Sequence, residues 1–373
     1  MADIKTNLRE LSVLVGIKNL VSNTKLSNDP KVFFNQTKEI IPIQNYENIA
    51  NMNVASFNIE EKSILENGYK LALKIKEKFN IKKIENLKWY GFDTQKESPV
   101  DISINNLDFS LKEESFILEN MGLYKLVNLF TNSNYDRLHI FEDYALTVYK
   151  EWFDVTWNIM IEYLKNNSNE WYLIDASKNR KATIKLQNNN IHFVYERDGI
   201  TNTSILPIKT TLDQFKDKTN GVTREQVFSK WINKEISDNP KYLKFKKHCS
   251  VVASDKLAKY LLDNLDYKEG LPRFLRIHEK EYYYAKTTNS EQIIYYVPSI
   301  SDYQNKLEIE SIIGSVPTSQ ANVITTIRNK ETNQKLILRN ECRFSHGQFN
   351  GTPEAKMYYQ NGKGTLLAIY KEI

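Results

Sequence analysis

The stretch that decides the fold runs from Ser98 to Glu114, S-P-V-D-I-S-I-N-N-L-D-F-S-L-K-E-E. Val100, Ile102 and Ile104 alternate with Asp101 and Ser103, the period of a strand with one buried face. After Asn105-Asn106 the alternation resumes, with Leu107, Phe109 and Leu111 apolar and Asp108, Ser110 and Lys112 polar. Two such runs around two turn-forming residues predict a β-hairpin. With Asn105-Asn106 as its loop, Ile104 pairs with Leu107, Ser103 with Asp108 and Asp101 with Ser110. Opposed Cβ atoms then lie about 4.5–5.5 Å apart, and one face gathers Asp101, Ser103, Asp108, Ser110 and Lys112. A carboxylate and a lysine on adjacent strands form a metal-and-phosphate site in miniature. The plainer reading of the same alternation is an amphipathic hairpin with one wet face.

The flanks extend the pattern. Residues 1–50 read as a helical and loop prelude, with Ile17, Leu20 and Val21 on one stripe and a break at Asn28-Asp29-Pro30. Ile64, Tyr69, Ala72, Ile75 and Phe79 recur near helical spacing, and Asn58 with Glu61 predicts a capping box at the start of that helix. Glu60, Glu61 and Glu66 lie on it. Leu87 to Gly91 reads as a strand entering the sheet. After the hairpin, Ser115 is expected to cap a helix carrying Phe116, Met121, Tyr124 and Val127, with Gly122 in its interior. Residues 135–165 form another helical region, rich in aromatics that read most simply as core.

Helix, strand, Pro-x-Asp strand, Ser-x-Lys strand and helix together resemble the catalytic core of the PD-(D/E)XK nucleases, which include many type II restriction endonucleases. The resemblance covers roughly residues 55–130. Asp101 matches the metal-binding Asp, although Pro99-Val100-Asp101 has one residue more than the family's Pro-Asp. Lys112 matches the Lys, while Ser110 stands at the acidic position two before it. Some members of the superfamily have Ser there and draw the missing carboxylate from a neighbouring element. Glu114 is the favoured substitute, then Asp108 and Glu119, with Glu66 reachable through helix packing. The resemblance implies a restriction-endonuclease-like mixed sheet flanked by helices, in the α+β or α/β class. It also implies Mg²⁺ held by Asp101, the Leu111 carbonyl and a second acid. Lys112 would orient or help deprotonate the attacking water. The implied activity is site-specific cleavage of double-stranded DNA; a non-catalytic DNA-binding module on a degenerate core, or a repair or phage-defence nuclease, stays open.

The chain has 373 residues, 41% hydrophobic and 26% charged, the composition of a folded globular protein long enough for two domains. No apolar run approaches a membrane span, and two cysteines suit a reducing cytoplasm. The polar run Asn166 to Glu170 is the candidate boundary, dividing residues 1–168 (helices and core) from 169–373 (DNA recognition, with dimerisation of a two-fold enzyme as a further expectation). In the second part strands are expected over 171–175, 182–186, 191–196, 281–285, 292–297, 323–328, 336–339, 356–359 and 366–370. Helices are expected over 223–236, with a Thr223/Gln226 capping box, and from Ser254 to about Leu265.

A net charge of +5 permits an anionic partner. Three segments mix bases with aromatics and are the expected DNA-contacting positions. They supply Lys244, Lys246 and Lys247, then Arg273 and Arg276, then Arg339, Arg343, Gln348 and Asn350. Lysines neutralise phosphates, whereas Arg, Gln and Asn can read base edges. His248-Cys249 and Cys342-x-x-x-His346 have poor spacing for structural zinc, so both cysteines are expected to be packed. Phosphate-binding glycine loops and the common hydrolase motifs are missing, so no nucleotide cofactor is expected.

Overall fold

The computed structural model describes residues 4–38, 40–41, 56–91, 99–112, 117–217, 221–266, 268–304, 306–344, 349, 353–359 and 370–373. Helices α1 (Ile4–Val21), α2 (Pro30–Thr37) and α3 (Ile59–Lys78) come first, then the meander β1 (Leu87–Trp89), β2 (Ile102–Ile104) and β3 (Leu107–Lys112). Strand β4 (Ile117–Gly122) leads to α4 (Leu123–Thr131) and the long α5 (Ile140–Asn166). Four strands follow: β5 (Glu170–Asp175), β6 (Arg180–Gln187), β7 (Asn190–Arg197) and β8 (Ile200–Pro207). Helices α6 (Leu212–Phe215), α7 (Gly221–Trp231), α8 (Pro240–Asp263) and α9 (Gly270–Phe274) precede β9 (Tyr282–Thr287) and β10 (Gln292–Val297). After α10 (Ile300–Tyr303) come β11 (Leu307–Ser315), β12 (Asn322–Asn329), β13 (Lys335–Phe344), β14 (Pro353–Tyr359) and β15 (Lys371–Glu372). The class is mixed α and β, with three sheets among the described residues. No helix among them is long and apolar enough to cross a membrane.

The core sheet has the order β1-β2-β3-β9-β10-β15. Its hairpin register is the expected one, with Ile102 opposite Phe109, Ser103 opposite Asp108 and Ile104 opposite Leu107. The turn works because Asn105 takes φ 54°, the left-handed region that Asn tolerates best after Gly. Its side chain then caps the entering strand, accepting from the N–H groups of Glu85 at 2.8 Å and Asn86 at 3.3 Å. Strand β3 pairs in parallel with β9, while the other neighbours in this sheet are antiparallel. The core sheet therefore takes strands from both sides of residue 168.

One face of this sheet, carrying Ile102, Ile104, Phe109, Leu111, Ala285 and Ile294, packs on α1 and α3. Helix α1 is buried over most of its length, with Leu8, Leu11, Val13, Leu14, Val15 and Ile17 and also the polar Asn7, Glu10 and Ser12 inside. It is therefore an inner helix. Asp29 caps α2, with Pro30 in the first turn, so the expected break is also a start. The Asn58/Glu61 capping box opens α3 as its spacing predicts.

The second sheet, β11-β12-β13-β14-β4, and the third, β5-β6-β7-β8, share one large apolar core with α5, α7 and α8. Phe349 is buried there among Tyr149, Trp152, Phe153 and Phe228. Three expectations need correction. Where a helix was expected from Ser115, residues Ile117–Gly122 form strand β4, because β14 stands beside them in antiparallel register. Gly122, extended at φ −68° and ψ 151°, is the cap of α4 rather than an interior residue. Thr223 lies inside α7, and the capping box belongs to Thr211 and Gln214 at the start of α6. The helix expected from Ser254 begins at Pro240, capped by Asn239. Most of the strand expected over 366–370 lies outside the described residues.

Helices α1 and α3 touch where Gly68 faces Ser12, and a Cβ on Gly68 would fall 1.7 Å from Ser12 Oγ and 2.6 Å from its Cβ. Gly68→Ala should therefore destabilise the protein by about 1–3 kcal/mol despite alanine's better helix propensity. Chemical denaturation of parent and variant checks this; an unchanged or raised midpoint would refute the close contact.

Candidate functional site

The β2–β3 ladder stops at Asp101. The Asp101 N–H still donates to the Phe109 carbonyl at 2.8 Å, and its own carbonyl accepts from Tyr90 N–H at 3.0 Å. Beyond that point its carboxylate replaces the missing strand acceptor. Oδ2 accepts from Leu111 N–H at 2.6 Å and from Ser110 Oγ at 3.3 Å, and lies 3.6 Å from Lys112 Nζ. The side chains of Asp101 and Lys112 are 24% and 27% exposed, enough to meet a ligand while still feeling each other. Ser103 and Ser110 on the same face are buried, so the polar face is not a wet one.

A residue that the sequence reading passed over completes the cluster. Glu10, on α1, is buried and accepts from Trp89 Nε1–H at 2.7 Å. Trp89 pairs with Ile102, the residue after Asp101, so Glu10 comes up from the helix layer at the place where the ladder ends. Burial pushes its carboxyl up to about 7, and the negative charge of Asp101 pushes the same way. The Trp89 hydrogen bond, Lys112 and Arg9 oppose the rise. Glu10, Asp101 and Lys112 thus sense one another's charge. A glutamate beside Arg9 at the start of the largely apolar stretch Leu11 to Ile17 was the available signal. The parallel register adds Lys286 opposite Lys112, which no local pattern announces.

The expected acids part company. Asp108 is hydrogen-bonded by Ser103, whose Oγ also lies 3.2 Å from the Tyr90 hydroxyl, two residues back towards the turn. Glu114 lies outside the described residues, as does the side chain of Glu119. Glu60 pairs with Lys5 at 2.6 Å, Glu61 closes the capping box and Glu66 is exposed on α3. A cleft of about 540 Å³ lies on the turn side of the hairpin, with Lys88, Tyr90, Ser103, Asp108 and Lys280 in its walls; Asp101 and Lys112 do not line it.

The expected DNA-contacting residues fall on separate elements. Lys244 and Lys247 are exposed on the first half of α8, whereas burial lowers the Lys246 ammonium, which sits 5.8 Å from the Tyr242 ring centroid. Arg273 is exposed and lies 3.6 Å from Glu269, and Arg276 has φ 61°. Arg339 on β13 stacks 4.7 Å over Tyr358. The Arg343 side chain, Gln348 and Asn350 lie outside the described residues. Cys249 and Cys342 are free and buried as expected, and burial raises both thiols.

No family model matches the chain, and no curated protein or solved structure matches it.

The Glu10 environment has a cost that can be measured. Its folded value near 7 lies above the ordinary 4.5, so the folded state holds this proton more tightly between those two values. Stability then falls as pH rises through that window, and the full cost stands above it. At about 1.4 kcal/mol per unit, Glu10→Gln should stabilise the protein by up to about 3 kcal/mol at pH 8. The gain should vanish below pH 4.5, the lower edge of the window. Urea melts at both pH values check the sign; a variant less stable than the parent at pH 8 would refute it.

Proposed function

We propose that the chain is a Mg²⁺-dependent, site-specific endonuclease of double-stranded DNA, a type II restriction enzyme on a PD-(D/E)XK-like core. The observation that carries this reading is the Asp101–Lys112 pair, 3.6 Å apart at the open end of the hairpin, with the buried Glu10 carboxyl near enough to feel both charges. It answers the departure at the acidic position, since Glu10 offers the carboxylate that Ser110 lacks. The order of helix, entering strand, Asp strand and Lys strand in one meander supports the same reading.

The donor set fits the metal. Among the described residues no cluster of three or more His, Cys, Asp or Glu is arranged to hold an ion. Magnesium asks for less, since it keeps several waters and is usually bound through one or two carboxylates together with substrate phosphates. Glu10 and Asp101 would hold it, with the Leu111 carbonyl as the further ligand the resemblance implies. When bound, the ion would lower the pKa of a water and polarise the phosphoryl oxygen.

The chain's own residues do the rest. The hydrogen bonds from Leu111 and Ser110 fix the Asp101 carboxylate, and Trp89 fixes that of Glu10, so little reordering accompanies binding. Lys112 is near enough to orient the attacking water and to meet charge growing on the phosphate. Lys286, in register beside it, adds a second positive charge for the phosphate.

A second reading, a non-catalytic DNA-binding module on a degenerate core, is favoured by Ser110 at the acidic position. The two separate on a gel. Phage DNA with Mg²⁺ should give discrete fragments with the parent. Asp101→Ala and Lys112→Ala should give none while DNA binding persists, and Glu10→Gln should lose about 10²-fold or more in rate. Binding without cleavage by the parent, and no Mg²⁺ or Mn²⁺ heat in calorimetry, would establish the module instead. Cleavage confined to ends, junctions or lesions would move the enzyme from restriction to repair.

A further inference from the structure

Helix α1 buries four polar side chains, Asn7, Glu10, Ser12 and Asn19. Three of them have partners. Glu10 accepts from the Trp89 indole, Ser12 Oγ donates to the Arg9 carbonyl at 2.8 Å, and Asn19 accepts from the Thr24 hydroxyl at 3.0 Å. Asn7 is 2% exposed, and among the described residues its Oδ1 meets no donor. A buried acceptor left unmet is costly, and a native fold that keeps one gives it an ion, a ligand or a water to meet. Its place in the fold says which. Lys5 pairs with Glu60 at 2.6 Å and Ser12 faces Gly68, so α1 and α3 run side by side in the same direction. The last turn of α3 lies by the start of β9, where Phe79 is 4.7 Å from Tyr283. Its middle lies by the end of β9, where Thr287 Oγ1 donates to the Asn67 carbonyl at 3.2 Å, one residue beyond the Lys286 that stands in register with Lys112. Both helices therefore begin at the open end of the hairpin, and the step from Glu10 back to Asn7 leads one turn further out that way. Residues three apart on a helix are neighbours, with about 5–6 Å between their Cβ atoms. At about 100° per residue, Lys5, Ser12 and Gly16 make the stripe turned to α3, and Asn7 shares the opposite half with Glu10.

We propose that the Asn7 side-chain carbonyl belongs to the donor set for the divalent cation held by Glu10 and Asp101, as the neutral oxygen beside two acids. The inference rests on the nuclease reading of that cluster. Carbonyl and carboxylate oxygens suit Mg²⁺ and Mn²⁺. A neutral ligand is also what the cluster can accept. Asp101 already acts against the charge on Glu10, and a third acid would add to that repulsion. Helix α1 then carries two of the ligands, three residues apart on one side, and the ion ties the helix layer to the hairpin that carries Asp101. Burying the Asn7 amide costs the metal-free protein its hydrogen bonds to water, and the ion restores a polar contact in their place.

The test is calorimetry of Mg²⁺ and Mn²⁺ on the full chain at pH 8, with urea melts in EDTA beside it. Asn7→Leu keeps a side chain of similar size and removes the oxygen. It should weaken metal binding about tenfold or more. In EDTA it should raise the urea midpoint, because an unmet buried amide is gone. An asparagine with a purely structural role would give the reverse, a lower midpoint and an unchanged affinity. Asn7→Asp should tighten Mn²⁺ binding and lower the midpoint in EDTA. Unchanged affinity in a folded variant, or a lower EDTA midpoint for Asn7→Leu, overturns the proposal and leaves the nuclease reading standing. A parent that takes up neither ion overturns both. If Asn7→Leu does not fold, Asn7→Asp decides: tighter Mn²⁺ binding upholds the assignment, and unchanged or weaker binding overturns it.

Discussion

The parallel pairing of β3 with β9 is the constraint on which the rest of the structure depends. Antiparallel neighbours can be joined by a turn, but parallel strands need a crossover that carries the chain back to its starting end. This chain makes that crossover with residues 113–281, and among the described residues one of the three sheets and most of the helices lie in the detour. The joint itself is pinned from the helix side by three rings. Phe79 of the first helix pair lies 5.8 Å from Phe109 and 4.7 Å from Tyr283, and Phe109 lies 5.3 Å from Tyr283. Contacts of that geometry favour edge and tilted approaches over flat stacking, as seen here. Without the joint, Lys286 would have no reason to stand beside Lys112.

The polar cluster at the hairpin's open end sits against the energetic grain of the fold. A carboxylate buried in an apolar helix layer, next to a second carboxylate, raises the free energy of the folded state at neutral pH. A fold optimised for stability alone would place leucine at position 10. What keeps the arrangement ordered is hydrogen bonding that leaves little freedom, with an indole on one acid and a main-chain N–H on the other. Sites that break local rules in this way are where function is to be sought.

How much of this was legible in the sequence divides by range. The hairpin was readable to the residue, because strict alternation and an Asn-Asn turn together allow one register. The Asn58 capping box was readable for the same reason: its partners are three residues apart. Misreadings arose where a neighbour distant in sequence decides. Residues 117–122 are a strand only because β14 pairs with them. Thr223 sits within reach of a glutamine in sequence, yet the helix begins before it. Glu10 was hidden because a glutamate next to Arg9, with Asn7 and Ser12 nearby, looks like an ordinary surface position until the helix is seen to be buried. Its partners, Trp89 and Asp101, are about eighty and ninety residues further along the chain.

The long detour also sets an order of events during synthesis. The hairpin is made well before its parallel neighbour, which follows only after residue 281, and β15 comes later still. Until then the outer edge of β3 has no partner strand, and the aromatic joint lacks Tyr283. Domains fold as their pieces emerge, and a sheet cannot close before its last central strand exists. A nascent or truncated chain therefore carries Glu10, Asp101 and Lys112 without the sheet that aligns them. Whatever chemistry the cluster performs is withheld until β9 has been made.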